Sequence, residues 1–440
     1  MEYKTYRLGD VCKIFGRIGF RGYTTKDLVD SPKDGAISLS PTNIANGTMD
    51  LTKCTYISWE KYEESPEIKI CPNDILIVKT GNSYGRTAIV RQVQHPMTLN
   101  PQFVVLKDIK VNPIYLSYFL KSEEFQKQIY GIVGGSAIPT LSQEDLASLL
   151  IRVPNERVQN SISNILVSLD RKIELNKRIN GNLEAMAKQL YDYWFVQFDF
   201  PNVEGKPYKS SGGAMVWNEK LKREIPQGWH CGTLLDIAEY TNGLACQKYR
   251  PTNNNKLPVI KIKEMHDGLS ADTEWVKADI PDDVKVFDGD VLFSWSASLE
   301  VMLWAYGNGG LNQHIFKVTS KNGYPRSFYF YQLIHYVGVF KQMAEARKTT
   351  MGHITQDHLR QSTIALPPNV DIANKLEEKL CPFFDEIVKN NQEIMALTKQ
   401  RDELLPLLMN GQSSVNYHLY VYLQLIIYYI FPHVVKINSI

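Results

Sequence analysis

The sequence lacks the short motifs that mark most nucleotide-dependent and hydrolytic enzymes. It contains no GxxxxGKS or GxxxxGKT phosphate-binding loop, no HExxH zinc motif and no GxSxG nucleophile elbow. The segment LPPN at 366–369 lacks the preceding Asn or Asp and the following aromatic residue of an adenine-methyltransferase motif. The segment PNDILIVK at 72–79 pairs a carboxylate with a lysine, as nuclease sites do, but its later echo DGDVLFSW at 288–295 has no lysine. We interpret the two segments as a strand end and a structural turn, and we expect a binding protein.

Cysteine is scarce and scattered. The six cysteines stand at positions 12, 54, 71, 231, 246 and 381, without a CxxC pair. This pattern argues against a structural zinc site and fits a reducing cytosol. The polar start MEYKTYRLGD predicts no signal peptide, so we expect a cytoplasmic protein that binds no metal.

Long hydrophobic runs are also missing. The apolar run at 419–431 is 13 residues long, which is too short to span a bilayer, and Pro432 follows it. Its composition differs from everything upstream, so we interpret residues 413–440 as an atypical C-terminal tail. A membrane contact by this run is the alternative.

The bulk composition describes a globular protein of several domains. The chain has 440 residues, 44% hydrophobic and 22% charged, which is too long for one ordinary core. The formal charge of +2 neither demands nor excludes a nucleic-acid partner, so local patches matter more than the sum.

One stretch of sequence occurs twice. TLSQEDLASLLIRVP at 140–154 aligns without a gap with HITQDHLRQSTIALP at 353–367. Further echoes keep the same order: RLGDVCKI with LLDIAEY, PNDILIV with DGDVLFS, and LNPQFVVLK with LNQHIFKVT. Preserved order with a drifting offset indicates a duplication with loops of different length.

Each copy is predicted to be an α+β domain. Short β-rich runs come first (GAISLS, DILIVKT, TAIVRQV and QFVVLKD, then LPVIKIK, DVLFSWS, VMLWAYG and HIFKVTS), and a helix follows in each copy. In the first copy the helix over 112–131 starts at an Asn cap with Pro113 at its first position. Ser142 and Asp145 form a plausible capping pair, and Ile151–Val153 reads as a closing strand. We place the domains at 1–153 and 230–368, with a linker at 198–229.

A long helix is predicted after each domain, over 154–197 and 369–412. Heptad spacing predicts a coiled-coil seam, in which an Asn commonly fixes the register. Helices of about 40 residues would reach about 60 Å, longer than one small domain. If they pair antiparallel, a pseudo-twofold axis relates the two halves; the alternative is that each helix covers its own domain. The predicted seam residues are Leu169, Ile173, Asn176, Ile179, Leu183, Phe384, Asn391, Ile394 and Leu408, with Leu190 and Met186 continuing the first series.

The loops carry candidate DNA contacts. Residues 13–33 hold five cations against two aspartates, with Gly16, Gly19 and Gly22 between them, and glycines let a basic loop approach a phosphate backbone. The loop 79–86 combines Lys, Asn, Tyr and Arg, which can read base edges or bind phosphate. Its counterpart at 294–300 carries hydroxyls and a Trp, and two lysines are predicted on a nearby strand. The candidate DNA-binding residues are Lys13, Arg17, Arg21, Lys79, Asn82, Tyr84, Arg86, Lys261, Lys263, Ser294, Trp295 and Ser296; for any one cation, a solvated surface position is the alternative.

Several segments are distinctive: WFVQFDFPNVEGKPYKSSGGAMVWNEKLKREIPQGW at 194–229, FSWSAS and LNQHIFKV in copy two, and RDELLPLLMNGQ at 401–412. Through these segments, residues 1 to about 412 resemble the specificity subunit of type I restriction-modification systems. It implies two target-recognition domains that each read half of a bipartite double-stranded DNA site, with two antiparallel spacer helices. It also implies modification and restriction subunits as partners, which would carry the S-adenosylmethionine, ATP and magnesium chemistry, while this subunit has no catalytic residue and no cofactor of its own.

Two other classes of protein compete with this interpretation. A self-sufficient DNA methyltransferase or nuclease would need a cofactor loop, and none is found in the sequence. A coiled-coil scaffold without DNA binding would explain the helices but not two domains with divergent polar loops.

Overall fold

The computed structural model describes residues 2–19, 22–45, 48–133, 140–296, 298–346, 354 and 356–412. Arg21 and the predicted tail at 413–440 lie outside the described residues. The chain divides into two compact units, Met1–Asp170 with Lys399–Ile440, and Arg171–Thr398. Within the described ranges, no helix combines the length and the apolarity needed to cross a membrane.

In the described residues of unit 1 there are twelve strands and the first helices of the chain. The strands are β1 (Tyr3–Arg7), β2 (Lys13–Gly16), β3 (Leu28–Val29), β4 (Gly35–Leu39), β5 (Ile44–Ala45), β6 (Thr48–Met49), β7 (Thr55–Ser58), β8 (Ile75–Val78), β9 (Thr87–Ile89), β10 (Met97–Leu99), β11 (Phe103–Lys107) and β12 (Leu150–Pro154). The helices are α1 (Leu8–Val11), α2 (Trp59–Glu63), α3 (Pro113–Lys121), α4 (Glu123–Val133) and α5 (Gln143–Ser148), followed by α6 (Glu156–Tyr191), which continues past the end of the unit.

Two four-stranded sheets form the centre of unit 1. One has the order β2-β11-β8-β9 and the other the order β10-β4-β7-β3. Strand β8 is buried on both faces, with Ile75 and Ile77 in a core against the helices and Leu76 and Val78 in a core against the second sheet. A strand enclosed on both sides reads as a continuous apolar run, which is why DILIV shows no polar alternation. The pair β1-β12 closes the domain, because the first strand lies antiparallel to the last.

Unit 2 repeats this plan. Its strands are β13 (Met215–Asn218), β14 (Arg223–Pro226), β15 (His230–Thr233), β16 (Ala238–Asn242), β17 (Lys256–Ile260), β18 (Trp275–Lys277), β19 (Lys285–Val286), β20 (Val291–Ser294), β21 (Glu300–Leu303), β22 (Gly309–Leu311), β23 (Ile315–Ser320) and β24 (Thr363–Leu366). Its helices are α7 (Leu234–Ile237), α8 (Ile262–Asp267), α9 (Arg326–Ala346), α10 (Gln356–Gln361) and the first part of α11 (Asp371–Met409). The order β16-β23-β20-β21 matches the first sheet of unit 1, and β15-β24 matches its closing pair.

The second sheet differs between the copies only at its edge. A parallel pair and an adjacent antiparallel strand occur in both units, as β10-β4-β7 in unit 1 and as β22-β17-β18 in unit 2. Unit 1 adds β3 beside β7, whereas unit 2 adds β19 beside β22. The shared strands are therefore the framework, and the edges are where the copies diverge.

A partly buried ion pair supports the same turn in each copy. In unit 1, Lys107 lies 2.6 Å from the Asp74 carboxylate, which also accepts the backbone N–H of Cys71 at 2.8 Å. In unit 2, Lys317 lies 2.8 Å from the Asp290 carboxylate. The aspartate of PNDILIVK and of DGDVLFSW thus holds the turn before a strand, in agreement with the structural interpretation of that segment.

The predicted caps and closing strands are present. The Asn112 side chain accepts the backbone N–H groups of Ile114 and Tyr115 at the start of α3. Ser142 and Asp145 cap α5 reciprocally, with 2.9 Å from the Asp145 N–H to the Ser142 Oγ. Strand β12 covers the expected closing strand and includes Pro154.

Two predicted elements differ in the structure. The helix expected over 112–131 is broken into α3 and α4, because Ser122 adopts an extended backbone and its Oγ donates to the carbonyl of Phe119. The strand expected over LPVIKIK ends at Ile260, after which α8 begins. Apolar pattern alone did not distinguish the strand from the short helix that continues it.

An aromatic cluster occupies the segment between α6 and β15. Phe200 stacks on Tyr208 at 4.8 Å and on Trp229 at 5.3 Å between ring centroids. The Asp199 carboxylate accepts the N–H of Ser210 at 2.7 Å. These contacts fix the chain around the β13-β14 hairpin, so most of the predicted linker is ordered structure.

In unit 2, α6 and α11 run antiparallel and are joined by buried amides. Asn176 donates to Glu393 at 2.7 Å, and Asn180 donates to Asn391 at 2.8 Å. Asn390 donates to Asn180 at 2.9 Å. The partner numbers fall as the α6 numbers rise, which establishes the antiparallel direction. The predicted seam asparagines therefore bond to other residues, Glu393 and Asn180, and not to each other.

The predicted seam residues occupy two kinds of position. Some lie on the α6 and α11 segments of unit 2, and others lie in the core of one of the two units. Ile173 is buried, whereas Ile179, Leu183 and Ile394 are partly buried in unit 2. Phe384 packs on Phe330 of α9 at 5.4 Å, inside the unit 2 core. Leu169 is buried in unit 1, where Leu408 belongs to the helix-side core. Met186, predicted to continue the seam, is 55% exposed, and Ala187 is buried in its place.

Candidate nucleic-acid interface

One end of the central sheet in unit 1 gathers four chain segments. It is the end where β2 and β8 finish and β9 and β11 begin. The Leu-Asn motif turns the chain here: the Asn100 N–H donates to the carbonyl of Leu39 at 2.9 Å, and the Asn100 side chain accepts the N–H of Gln102 at 2.9 Å. The carbonyl of Gln102 then accepts the N–H of Lys79 at 2.8 Å, and the carbonyl of Lys79 accepts the N–H of Leu141 at 2.9 Å.

The same network recurs at the corresponding end in unit 2. The Asn312 N–H donates to the carbonyl of Ile260 at 3.0 Å, and the Asn312 side chain accepts the N–H of His314 at 3.4 Å. Trp295 donates its N–H to the carbonyl of His314 at 3.3 Å and accepts the N–H of Ile354 at 3.0 Å. Asn100 and Asn312 therefore belong to the framework that both copies share. The neighbouring loop side chains at each sheet end are not part of this framework and can differ between the copies.

In unit 1 the loop after β8 presents a cationic and amide surface. Gly81 and Gly85 adopt φ values of 93° and 80°, a conformation that costs glycine nothing. Asn82 and Arg86 are exposed, and Lys79 is half-buried. Neither Lys79 nor Arg86 forms an ion pair with a residue that the structure describes.

Tyr84 has a different environment from its loop neighbours. Its ring meets the Tyr130 ring edge-on, with 5.6 Å between centroids, and packs against the helix-side core. The amide of Gln126 donates to the carbonyl of Gly85 at 3.0 Å. Tyr84 therefore anchors the loop, while the Asn82 and Arg86 side chains are exposed to solvent.

In unit 2 the equivalent loop presents aromatic and imidazole groups. The Trp295 indole N–H donates to Asn242 at 3.1 Å, and its ring lies 5.6 Å from the His314 ring. His314 and Asn242 are exposed, and Trp295 is half-buried. This surface offers hydrogen-bond groups and a ring face without the permanent positive charge of the unit 1 loop.

The two serines predicted in this loop are interior. Ser294 is fully buried, and its Oγ accepts the N–H of Glu300 at 3.0 Å and donates to the carbonyl of Ser298. Ser296 is 6% exposed. The Ser294 hydroxyl closes the hairpin between β20 and β21, and Ser296 is buried beside it in sequence, so we remove both residues from the candidate interface.

The basic loop predicted near the N-terminus does not act as a set in the structure. Arg17 is only 5% exposed; its guanidinium donates to the carbonyl of Leu99 at 2.8 Å and to Thr98 Oγ1 at 3.1 Å, and burial lowers its pKa. Lys13 is exposed and pairs with Asp108 at 2.8 Å. Arg17 thus supports the sheet from inside, and Lys13 is exposed but its charge is compensated by Asp108, which weakens its assignment as a phosphate contact.

The lysines assigned to a strand belong to a helix start. Lys261 precedes α8 and Lys263 lies in its first turn. Lys261 pairs with Glu274 at 2.5 Å, and this hydrogen bond lowers the pKa of the Glu274 carboxyl. Lys263 lies 3.8 Å from Asp272. Both charges are compensated locally, which weakens their assignment as phosphate contacts.

Gln102, Asn242 and His314 stand at the sheet ends and were not among the predicted site residues. A signal for two of them was available. In the repeat LNPQF and LNQHI, the residue three positions after Leu is Gln102 in one copy and His314 in the other. The Leu-Asn turn is the same in both copies while the residue at this position changes, and such a pattern is typical of a recognition surface. In the described part of the chain, no three His, Cys, Asp or Glu side chains cluster closely enough to hold a metal ion.

Taken together, the fold and these sheet ends define a two-domain recognition protein, in which one α+β framework occurs twice and presents different polar side chains at the same place. The chain belongs to the family described as type I restriction modification DNA specificity domain, whose model matches residues 1–185 and 226–399.

Named relatives agree with this assignment. The chain is 27% identical over 368 residues to the type I restriction enzyme MjaIX specificity subunit of Methanocaldococcus jannaschii, covering 81% of each chain. It is 22% identical to the HindI specificity subunit of Haemophilus influenzae, covering 93% of this chain and 99% of that subunit. The crystal structure of a type I restriction-modification S subunit from M. genitalium matches with a TM-score of 0.56 at 13% identity, covering 92% of this chain and 96% of that one, which supports the fold.

Proposed function

We propose that this chain is the DNA-recognition subunit of a type I restriction-modification complex. Each repeated domain reads one half of a bipartite site in double-stranded DNA. The observation that carries the proposal is the repeated Leu-Asn turn, which holds Lys79, Asn82 and Arg86 at one sheet end and Trp295 and His314 at its counterpart. A common framework with different exposed groups is what two different half-sites require.

The side chains at the two sheet ends favour different contacts. Asn makes bidentate hydrogen bonds to adenine edges, whereas arginine binds phosphate through its bidentate fork and lysine binds phosphate as a point charge. His and Trp offer single hydrogen bonds and a ring face, which suits base edges and thymine methyl groups more than phosphate. We expect the unit 1 domain to depend on salt through Lys79 and Arg86.

Catalysis is assigned to partner subunits. The chain directs adenine methylation or cleavage by modification and restriction subunits, which bind S-adenosylmethionine, ATP and magnesium. The relatives are named specificity subunits, which supports a recognition role for this chain.

A domain exchange tests half-site reading. Replacing residues 1–153 by the matching segment of a relative should change one half of the methylated site and leave the other half unchanged, as measured by genome-wide methylation mapping. A change in both halves would reject independent reading by the two domains.

A reconstitution tests the division of labour. The purified chain with S-adenosylmethionine and site-bearing DNA should transfer no methyl group, and activity should appear when the modification subunits are added. Methyl transfer by this chain alone would instead establish the self-sufficient methyltransferase.

A further inference from the structure

The second sheet of unit 2, which contains β17 and β18, has a basic and aromatic face that is not part of the sheet-end surface described above. Strands β17 and β18 place Lys256 directly opposite Lys277, and Pro258 directly opposite Trp275. Directly opposed residues share one face of a sheet, and Val276, which points the other way, is fully buried. The four residues therefore face solvent, where Trp275 is 42% exposed.

Each lysine on this face lies over an aromatic ring. The Lys256 Nζ is 4.4 Å from the centre of the Trp275 ring, and the Lys277 Nζ is 5.5 Å from that of Tyr249. Neither lysine forms an ion pair with any residue in the described ranges. The rings hold the two ammonium groups in place by cation–π attraction and leave their charge uncompensated.

This arrangement works against folding. Like charges placed directly opposite on antiparallel strands repel and destabilise the sheet. The neighbouring segment adds to the repulsion, because residues 245–255 contain two further cations and no acidic residue. Lys248 and Arg250 of that segment are exposed and flank Tyr249. A bound polyanion would remove this repulsion.

The framework itself does not need these lysines. Leu39 and Ile260 are equivalent, since their carbonyls accept the N–H of Asn100 and of Asn312 in the two repeated turns. Counting back along the paired strands, the unit 1 residues in place of Lys256 and Lys277 are Gly35 and Ser58, which are also directly opposed. Unit 1 therefore builds the same strand pair without charge.

The aromatic position is shared by the two copies. By the same register, Trp275 corresponds to Tyr56, which is paired with Ile37. The ring is thus part of the common plan, and the cations are an addition specific to unit 2.

We propose that the β17-β18 face binds the sugar-phosphate backbone of duplex DNA. Lys256 and Lys277 each contact one phosphate, and the exposed edge of Trp275 packs against an adjacent sugar. The proposal rests on the DNA-recognition function proposed above. It adds a sequence-independent contact that positions the unit 2 domain on DNA. Such a contact is needed there because the loop at the unit 2 sheet end has no cations equivalent to Lys79 and Arg86 of unit 1. An acidic surface of a partner protein is the competing occupant.

The salt dependence of DNA binding tests the two phosphate contacts. The full chain with its modification subunits is titrated against a fluorescent 40-base-pair duplex of mixed sequence at several sodium chloride concentrations. Lys256→Gln combined with Lys277→Gln should lower the slope of log affinity against log salt by about 1.8, since each lost phosphate contact removes about 0.9. The control Lys375→Gln with Lys379→Gln removes the same charge from exposed positions of α11 and should leave the slope unchanged.

The outcomes separate the two proposals. If the wild-type complex binds no duplex, the DNA-recognition function fails and this inference fails with it. If the wild-type complex binds and the double variant keeps the wild-type slope, only the β17-β18 contact is overturned.

Lysine labelling provides a second test that needs no variant. An amine-reactive acetylating reagent is applied to the full chain alone, to the wild-type complex with its modification subunits, and to that complex with the duplex, and the modified lysines are quantified by mass spectrometry. DNA should protect Lys256 and Lys277 several-fold and leave Lys375 unprotected. Protection by the modification subunits that DNA does not increase would assign the face to a protein partner and overturn the proposal.

Discussion

Replacing Asn180 by alanine should loosen the helix pair of unit 2. Asn180 is 6% exposed, and its amide makes bonds of 2.8 and 2.9 Å to Asn391 and Asn390, with a longer contact of 3.5 Å to the carbonyl of Ile387. Asn390 is 5% exposed, so its donor would be left without a partner and out of reach of water. The two short bonds contribute about 1 kcal/mol each, and the stranded amide costs about 1 kcal/mol more.

The net loss is smaller than the sum of these terms. Alanine favours the helix over asparagine by about 0.7 kcal/mol, which offsets part of the loss. The expected destabilisation is therefore about 2 kcal/mol. For backbone amides that exchange through local opening of the helix pair, the exchange rate should rise about 30-fold. Each 1.36 kcal/mol of lost stability raises that rate tenfold.

Hydrogen exchange followed by mass spectrometry measures this effect locally. Peptides covering residues 173–184 and 387–394 should exchange faster in Asn180→Ala, whereas peptides of unit 1 should not change. The matched control is Asn182→Ala, two residues further along α6 at an exposed position, which should be neutral or slightly slower in exchange. If the two variants exchanged alike, the buried amide cluster would not hold α6 against α11, and the reasoning would be refuted.

Three further predictions follow from side-chain environments in unit 1. Arg17→Ala should destabilise unit 1 by about 2–3 kcal/mol in urea unfolding, because two buried acceptors lose their donor. Cys12, whose pKa burial raises to about 12, should resist alkylation by iodoacetamide at pH 8, and the exposed Cys71 should react. Combined Lys79→Gln and Arg86→Gln should reduce the salt slope of DNA binding by about 1.8.

Each of these has a control within the same unit. Lys33→Ala removes an exposed cation and should leave the stability of unit 1 unchanged. Urea at a denaturing concentration should bring Cys12 to the reactivity of Cys71. Lys53→Gln with Lys26→Gln removes two exposed charges from outside the loop 79–86 and should keep the slope. If Arg17→Ala were as stable as the wild type, Arg17 would not be a required buried donor. If native Cys12 reacted like Cys71, its thiol would not be buried. If the loop variant kept the wild-type slope, Lys79 and Arg86 would not contact phosphates.

The sequence by itself determined the duplication, the α+β plan of each copy and the two long helices. These features rest on local information: apolar runs such as DILIV, caps such as Ser142 with Asp145, and the heptad spacing of Leu169 and Asn176 are set by neighbours in the chain. Family membership could be read from the sequence for the same reason, because its segments are contiguous.

Only the tertiary structure decided which polar side chains face a ligand. Arg17 looks like a surface cation in a glycine-rich loop, but it lies inside because carbonyls brought together by folding satisfy it. Ser294 and Ser296 are buried at a hairpin, and Asn180 proved to be the central seam amide although it was not among the predicted seam residues. The burial of Arg17 and of Asn180 depends on partners far away in the sequence, and a buried polar group is stable where such partners complete its hydrogen bonds.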